Sequence, residues 1–354
     1  ARSLYRSIKN KQRNVMQELF IITNESIYKN NKDFFCDNID LKTTPEGLSE
    51  KFKINIIARK SLKERAHKIG VKNIKIFSSI FSFLYEVCIS TKNKDTKFLI
   101  ISISPYTFLA SIVLKILGKT PIIYLRSDGY GEYRAIIGFI GPFFYHLMFS
   151  ISSAISNLIS CRKFILKGKK GSVISPSQLD SEWLNNFKES KVIKPNLLYV
   201  GRIRIEKGIF SLLKIIKDKD NISLTVVGAE KNSKHKIDQN NVIVKQNEKN
   251  KKDLIKIYDE HDIFILPSYT EGHPMALLEA LARRRPVIIF EEITHVIGDK
   301  KGIFVSKRSY ESLSDTINLI KNNYHNIQQE MKKNQLPTNK EFINQMGNLI
   351  SDFN

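Results

Sequence analysis

Short apolar runs alternate with helical patterns along the whole chain. Eight runs are predominantly apolar and have the length of strands, which is typical of strands buried on both faces of a parallel sheet with helices between them. The eight runs are Leu19–Thr23, Ile54–Ala58, Phe98–Ser102, Pro121–Leu125, Leu197–Gly201, Leu224–Gly228, Ile263–Pro267 and Pro286–Phe290. The pattern predicts an α/β fold with parallel sheets.

Two domains are predicted, because eight runs are too many for one ordinary sheet and because residues 175–196 are polar and contain two prolines. Both halves are expected to be Rossmann-like. Two such halves would face a cleft and hold a ligand at the carboxyl ends of their strands. We divide the chain into residues 1–180 and 197–338, with a linker at 181–196, and expect the chemistry in the loops that follow the strands.

One apolar stretch, Ala135–Ile159, contains no Lys, Arg, Asp or Glu over 25 residues. It is long enough to cross a bilayer of about 30 Å. Three interpretations stay open: a membrane-spanning helix, a core helix followed by a strand at Ile155–Cys161, and a helix seated in the membrane interface. The serines, His146 and Pro142 inside the stretch favour the second interpretation.

The composition adds a strong positive charge. Among 354 residues, 57 are Lys or Arg and 35 are Asp or Glu, a net charge of +22 of which +15 falls on residues 1–190. Such a charge suits a nucleic acid, an acidic membrane surface or phosphorylated substrates. The three cysteines, Cys36, Cys88 and Cys161, form no CxxC pair, and the first twenty residues lack the apolar core of a secretory signal. We therefore expect a cytoplasmic setting.

The loop after the run Leu197–Gly201 has the residues of a diphosphate clamp. Gly201 allows a sharp turn after the strand. The side chains of Arg202 and Lys207 can converge on a phosphate, and an amphipathic helix follows from Ile209. The alternative is that these are solvated charges of a basic protein.

The segment after the run Ile263–Pro267 predicts a helix whose N-terminus faces a ligand. Pro274 suits a first helical turn, and Met275–Leu281 is a good helix. The free backbone N–H groups at such a start attract an anion. Glu271 lies in the loop, and Glu279, about two turns further along, can accept hydrogen bonds from two ribose hydroxyls.

These two segments resemble the donor-binding half of retaining glycosyltransferases of the GT-B fold, in the group 1 type called family four. The resembling stretches are VGRIRIEKG at 200–208 and LPSYTEGHPMALLEALARRRPVI at 266–288. The resemblance implies that Arg202 and Lys207 hold the donor pyrophosphate, that Glu271 contacts sugar hydroxyls and that Glu279 binds the ribose. It also implies that backbone N–H groups of one short segment bind sugar and phosphate, with the donor-binding residues Gly272, His273, Pro274, Met275 and Ala276.

The same resemblance assigns roles to the domains. Residues 1–180 would bind the acceptor, residues 197–338 would bind the donor, and the amphipathic C-terminal segment at 339–354 would pack back on the first domain. The implied reaction moves a sugar from a nucleotide diphosphate, with a UDP-sugar as the first choice, and retains the configuration at the anomeric carbon. The resemblance implies that Arg202, Lys207 and the helix N-terminus neutralise the negative charge of the leaving diphosphate in place of a metal, so no cofactor is expected.

Three positions depart from the family pattern. The loop after the first strand, Asn24–Asn30, lacks the usual glycines. After Leu125 the family often has a histidine, whereas this chain has Arg126 and Asp128. Asp128 could hydrogen-bond a sugar or acceptor hydroxyl and Arg126 could pair with phosphate, although a loop-to-helix cap explains them equally well. Arg284 replaces a frequent glycine at a helix end, which predicts a different cap or strain.

Other functions remain as alternatives. The same fold hosts nucleotide-sugar epimerases and phosphorylases, and the basic charge would suit a nucleic-acid-binding module, although no nucleic-acid motif occurs and we expect no such partner. The pair Asp218 and Asp220 could suggest a metal site, but its lysine-rich surroundings favour a surface turn.

The expected acceptor is a glycan or a lipid-linked glycan of bacterial surface polysaccharide or glycolipid synthesis. Lysines and arginines near an anionic surface favour peripheral attachment to the inner face of the plasma membrane. The candidate attachment segments are Lys51–Lys75, with a basic helix predicted at 61–70, then Arg162–Lys170, and the apolar Ala135–Phe149.

Overall fold

The chain forms two compact units. A computed structural model describes residues 16–188, 195–229, 237 and 239–353. The first unit contains Ala1–Ser175 and Lys340–Asn354, and the second contains Pro176–Asn339. The division therefore falls at residue 175 rather than at 180. The start of the expected linker belongs to the second unit, because Trp183 is buried in the core of that unit.

The first unit is built on a mixed sheet. Its strands are β1 Glu18–Asn30, β2 Asp33–Cys36, β3 Lys53–Ser61, β4 His67–Lys68, β5 Asn73–Phe77, β6 Lys97–Ile101, β7 Ile122–Leu125, β8 Asn157–Ser160 and β9 Ser172–Val173. Its helices are α1 Ile39–Leu48, α2 Ile80–Ser90, α3 Pro105–Ile116, α4 Gly129–Ile137 and α5 Gly141–Ile155. The parallel strands follow the order β5-β3-β1-β6-β7-β8-β9, and β2 and β4 add antiparallel pairs beyond the far end of β1.

The second unit has a fully parallel sheet. Its strands are β10 Asn196–Val200, β11 Ser223–Ala229, β12 Val242–Gln246, β13 Ile263–Leu266, β14 Val287–Phe290 and β15 Ile303–Ser306. Its helices are α6 Ser181–Leu184, α7 Ile209–Ile215, α8 Lys251–Asp259, α9 Met275–Ala282, α10 Tyr310–Asn322 and α11 Tyr324–Met331. The order is β12-β11-β10-β13-β14-β15, so the chain moves outward from β10 and then returns to its other side at β13. In such sheets the loops after these two strands diverge and leave a crevice.

All eight apolar runs form strands of these parallel sheets, as predicted. Every residue of β7, β13 and β14 is buried. The runs are continuous rather than alternating because helices cover both faces of each sheet. The α/β fold with two parallel-sheet domains is confirmed.

Two local predictions are wrong. Residues 24–30 are not a loop: β1 continues through them after a bulge between Ile22 and Ser26 and pairs with β2. Residues 61–70 do not form a helix. The Ser61 hydroxyl accepts hydrogen bonds from the backbone N–H of Lys63 at 3.2 Å and from Arg65 Nε at 3.0 Å. Such local bonds compete with helical ones and hold the connection between β3 and β4 as a loop.

The apolar stretch Ala135–Ile159 contains the end of α4, a short turn, helix α5 and strand β8, so the favoured interpretation is confirmed for the strand and for one side of α5. Helix α5 packs Tyr145 and Phe149 into the core of the first unit, and β8 follows directly. Within the described residues, Gly129–Ile155 is the one helical stretch long and apolar enough to cross a membrane by length and composition.

The C-terminal helix α12, Asn339–Asp352, belongs to the core of the first unit. Its residues Phe342, Met346 and Ile350 are buried among residues of β1, β3 and β7. Lys97 Nζ donates hydrogen bonds to the Ile350 carbonyl at 2.8 Å and to the Ser351 carbonyl at 2.9 Å. The first unit therefore consists of two separate parts of the chain.

Helix α9 ends with an arginine where glycine is usual. The backbone N–H groups of Arg284 and Arg285 bond to the carbonyls of Leu281 and Ala280, the two bonds of a Schellman cap. Arg284 has the left-handed φ of +54° that this cap needs. This conformation costs a non-glycine residue about 1 kcal/mol. The strain expected at this position is therefore confirmed. The Arg284 guanidinium lies 3.5 Å from the ring centre of Phe187.

Arg283 ties the first residues of the second unit to its core. Its guanidinium is almost fully buried and pairs with both carboxylate oxygens of Asp259, at 2.9 and 2.7 Å. It also donates hydrogen bonds to the carbonyls of Trp183, Asn185 and Asn186, at 2.9, 2.7 and 2.8 Å. One side chain thus satisfies three carbonyls and a carboxylate.

Replacing Arg283 by Met should lower the free energy of unfolding of the second unit by roughly 3–5 kcal/mol, because a buried carboxylate loses its main partner. Urea unfolding followed by tryptophan fluorescence measures this, since Trp183 is the only tryptophan and lies in the same core. The control Lys333→Met breaks an exposed pair with Glu330 and should leave the free energy of unfolding close to its wild-type value. Equal losses in both variants would contradict the prediction.

Candidate active site

Two loops meet at the crevice of the second unit, where β10 and β13 lie side by side. The first loop follows Val200 and the second follows Leu266. They are joined by a hydrogen bond from the backbone N–H of Tyr269 to the carbonyl of Glu206, at 3.0 Å. The two motifs found in the sequence therefore form one site.

Gly208 allows this close approach. Its φ is +66°, and a Cβ at this position would lie 1.8 Å from the carbonyl oxygen of Pro267. Any other residue would push the two loops apart. The single turn Ile205–Lys207 comes just before Gly208, and α7 begins just after it. Lys207 is thereby fixed at the edge of the second loop.

Lys207 and Glu271 form an ion pair at the centre of the site. Lys207 Nζ lies 2.7 Å from Glu271 Oε1, and the Ser268 hydroxyl donates to the same oxygen at 2.6 Å. The Glu271 side chain is only 8% exposed. The structure thus brings together two of the predicted catalytic residues, with the carboxylate neutralised by the lysine.

Arg202 lies in the same loop with an exposed side chain. Its carbonyl accepts a hydrogen bond from the Tyr199 hydroxyl at 2.8 Å. Burial raises the pKa of Tyr199; Glu271 raises it further and Arg202 lowers it. The phenol therefore keeps its proton and remains a donor to the loop. Gly201 bonds from its N–H to the Val227 carbonyl at 2.9 Å, which sets the turn that presents Arg202.

The start of helix α9 is open. Pro274 is its N-cap and makes no side-chain capping bond, and the helix begins at Met275 as predicted. Met275 and Ala276 begin the first turn, whose N–H groups have no partners within the helix. A helix start of this kind attracts an anion.

Two histidines hold the loop that carries Glu271 and Gly272. His273 Nε2 donates to the Pro176 carbonyl at 2.7 Å, and His295 Nε2 donates to the Glu271 carbonyl at 2.7 Å. His273 was predicted as a donor-binding residue, and its side chain serves in the structure to anchor the loop.

Glu279 is a carboxylate without a cation. Its Oε2 accepts a hydrogen bond from the Tyr258 hydroxyl at 2.8 Å, and no lysine or arginine of the described residues forms an ion pair with it. Burial raises the pKa of Glu279 to about 7, against the opposing effect of the Tyr258 hydrogen bond. A carboxyl group whose burial in the charged form costs free energy in this way is a candidate ligand-binding residue.

Arg308 belongs to the site and was missed from the sequence. Its guanidinium donates to the carbonyls of Pro267 and Ser268, at 2.7 and 3.2 Å, and lies over the ring of Tyr269 at 4.0 Å. It also pairs with Glu292. Arg308 thus holds the first residues of the second loop. Nothing in its local sequence marks this role, because its partners come from distant parts of the chain.

Arg126 and Asp128 lie in the first unit, at the end of β7. Arg126 pairs with Asp40 at 2.6 Å and with Glu25 at 3.3 Å. Burial lowers the pKa of Arg126, but these two carboxylates raise it above its ordinary value. The guanidinium is therefore already neutralised by two carboxylates, which differs from the phosphate partner expected of it.

Asp128 is the N-cap of α4. It accepts a hydrogen bond from the backbone N–H of Tyr130 at 3.3 Å and lies 3.6 Å from Lys167 Nζ. Of the two alternatives for this residue, the structure shows the cap. Its second carboxylate oxygen and its partial exposure leave room for a contact with an acceptor hydroxyl.

No cluster of three or more His, Cys, Asp or Glu that could hold a metal occurs within the described ranges. Asp218 and Asp220 lie in an exposed turn after α7, as the sequence predicted.

The family of the second unit is identified by its sequence. Residues 182–336, which include both loops, match the family model described as Glycosyl transferases group 1. A capsular polysaccharide biosynthesis glycosyltransferase of Staphylococcus aureus, CapM, is 28% identical over 288 residues, 72% of this chain and 75% of the relative. The second unit thus has the sequence of a group 1 glycosyltransferase domain, and the chain resembles CapM over most of its length.

Two further proteins resemble this glycosyltransferase. An N,N'-diacetylbacillosaminyl-diphospho-undecaprenol alpha-1,3-N-acetylgalactosaminyltransferase of Campylobacter jejuni is 27% identical over 133 residues, 36% of this chain and 35% of the relative. The structure of Anabaena HepE in complex with UDP and glucose superposes with a TM-score of 0.67 at 12% identity, over 95% of this chain and all of the other. The likeness confirms the GT-B fold.

Replacing Glu279 by Gln should stabilise the second unit at high pH. The unfolded carboxyl ionises near its ordinary pKa of 4.5, whereas the folded one ionises near 7. The native state therefore binds more protons between these values, and the wild type loses stability as the pH rises through this window. Glutamine does not titrate, so the gain in melting temperature of the variant should grow from pH 5 to pH 8.

Thermal unfolding followed by Trp183 fluorescence at four pH values measures this gain. The exposed Glu260 offers a matched control, since Glu260→Gln in the same unit should show no such trend. An equal gain in melting temperature for Glu279→Gln at pH 5 and at pH 8 would contradict the prediction. It would mean that folding does not raise the pKa of Glu279.

Proposed function

We propose that this glycosyltransferase moves a sugar from a nucleotide diphosphate to a glycan or lipid-linked acceptor in bacterial surface polysaccharide synthesis, with retention at the anomeric carbon. The pair of Lys207 and Glu271 beside the open start of α9 is the observation that carries the proposal. Positive charge and free N–H groups stand together there, as a departing diphosphate requires.

The ion pair suggests how the donor enters. In the structure Lys207 neutralises Glu271. A bound diphosphate would draw the ammonium group of Lys207 away, and the carboxylate of Glu271 would then be free to accept hydrogen bonds from sugar hydroxyls. One pair of residues would thus bind both ends of the donor, and neither charge would be left buried without a partner.

The nucleoside would lie deeper, against Glu279. This carboxylate can accept hydrogen bonds from two ribose hydroxyls, and their donation would favour its charged form. The structure of HepE with UDP and glucose supports a UDP-sugar as the donor.

The chemistry proposed needs no metal. Arg202, Lys207 and the N-terminus of α9 would stabilise the negative charge that grows on the diphosphate as the glycosidic bond breaks. The acceptor oxygen would attack the same face of the sugar, and its proton would pass to the departing donor phosphate. The names of the capsular and undecaprenol-linked relatives support a bacterial surface glycan as product and a lipid-linked acceptor.

Replacing Lys207 by Met should lower kcat about 10²–10³-fold, because the leaving diphosphate loses its point charge. A thermal-shift panel of UDP-, GDP-, dTDP- and CMP-sugars names the nucleotide beforehand, since a ligand of the native state raises the melting temperature. The control Lys214→Met removes an exposed lysine of the adjacent α7 and should keep full activity. Full activity in Lys207→Met would exclude the proposed role of Lys207.

The stereochemical outcome and the metal requirement are tested on the product. With the donor so identified, proton NMR of the product should show the donor's anomeric configuration, and EDTA should leave the rate unchanged. An inverted product, or a rate that EDTA abolishes and Mn²⁺ restores, would refute this mechanism. Conversion of the donor sugar without any acceptor would point instead to an epimerase.

A further inference from the structure

Helices α4 and α5 expose an apolar face of unusual extent, which we call the apolar face. The most exposed members are Phe139 at 88%, Ile136 at 75% and Phe143 at 69%. The other members are Ile137, Ile140, Phe144 and Leu147. Soluble proteins rarely leave so many large apolar side chains together in water, and such a patch marks an interaction site.

The two helices do not form one continuous straight helix. A short turn at 138–140 separates them, and Gly138 has a φ of +76° there. Helix α4 has 9 residues and α5 has 15, which gives lengths of about 14 Å and about 23 Å against a hydrocarbon core of about 30 Å. The opposite side of α5 is built into the core of the first unit through Tyr145 and Phe149. The face is therefore suited to lie on a surface.

Positive charge borders the apolar face. Residues 135–179 contain five Lys or Arg and no Asp or Glu. Four of the five are exposed lysines between β8 and β9: Lys163, Lys167, Lys169 and Lys170. Lys167 Nζ lies 5.3 Å from the ring centre of Tyr130 in α4, and the Tyr130 hydroxyl bonds to His146 of α5 at 2.8 Å. The basic segment thus lies against the same two helices.

We propose that the apolar face and its lysine border dock on the surface of an anionic lipid bilayer. Apolar side chains would enter the boundary between head groups and acyl chains, and the lysines would contact the lipid phosphates. Charge selects this occupant over a second copy of the chain. A dimer through this face would bring two lysine borders together in a protein of net charge +22, whereas an anionic bilayer neutralises them.

The basic segment Lys51–Lys75 is a weaker candidate for this role. Three of its lysines are already paired, as Lys53 with Glu18, Lys68 with Asp33 and Lys75 with Glu86. By contrast, Lys163, Lys169 and Lys170 form no ion pair within the described residues. Leu62 is the one large exposed apolar side chain of Lys51–Lys75, whereas seven such side chains form the apolar face.

Docking would also orient the first unit. Helix α4 begins directly after its N-cap Asp128, at the carboxyl edge of the sheet. A bilayer against the apolar face would therefore lie next to the edge that carries Arg126 and Asp128. The docking itself does not depend on the proposed reaction, because it needs neither donor nor acceptor.

Co-sedimentation with vesicles tests the docking. Wild type should bind vesicles of phosphatidylglycerol and phosphatidylcholine at low salt, and bind pure phosphatidylcholine vesicles at least about tenfold less. The double variant Phe139→Gln/Phe143→Gln should lose binding to the anionic vesicles about tenfold or more, since both side chains are largely exposed in the free protein. Its melting temperature should stay at the wild-type value. The variant Lys169→Gln/Lys170→Gln should weaken binding and flatten its dependence on salt.

A matched control tests whether the loss of vesicle binding is specific to the apolar face. Leu319 of α10 is a half-exposed apolar residue of the second unit, and Leu319→Gln should bind vesicles like the wild type. Failure of the wild type to bind anionic vesicles would overturn the proposal. So would normal binding by the phenylalanine variant, or a wild-type dimer in sedimentation that this variant abolishes, which would make a second copy the occupant. Donor binding measured by thermal shift in the same variants stays intact in each case if the proposed function holds.

Discussion

The site depends on one pairing, that of β10 with β13. Leu197 lies opposite Ile263 and Leu198 opposite Phe264, although two other strands and two helices separate them along the chain. This pairing makes the loops after both strands leave the sheet at the same edge. Lys207 can meet Glu271 only because of it, and Gly208 sets how closely the loops approach. Arg308 and His295 then secure the second loop from outside.

The sequence was informative where local chemistry decides and silent where distant contacts do. Continuous apolar runs predicted the buried strands, and the glycine, lysine and glutamates of the two motifs predicted which residues share the crevice. The segment 61–70 looked helical by composition, but it contains the end of β3, a loop held by the hydrogen bonds of Ser61, and strand β4. Arg308 could not be found in this way, because its partners Pro267, Ser268 and Glu292 come close only in the fold.

Charge is used differently in different parts of the molecule. Arg126, Arg283 and Lys207 each face carboxylates in or near a core, so they set geometry more than they add net charge. By contrast, Lys163, Lys169 and Lys170 form no ion pair among the described residues, and Lys167 has only Asp128. The net charge of +22 is therefore unevenly available at the surface. Many cations are paired with carboxylates, whereas the lysines beside α4 and α5 are exposed.

The placement of α12 has a consequence for biosynthesis. The first unit needs Phe342, Met346 and Ile350 to close its core, yet these residues follow the whole second unit in the chain. During translation the second unit emerges complete while the first still lacks its closing helix. The second half can therefore complete its core before the first half, although the first half begins to emerge earlier.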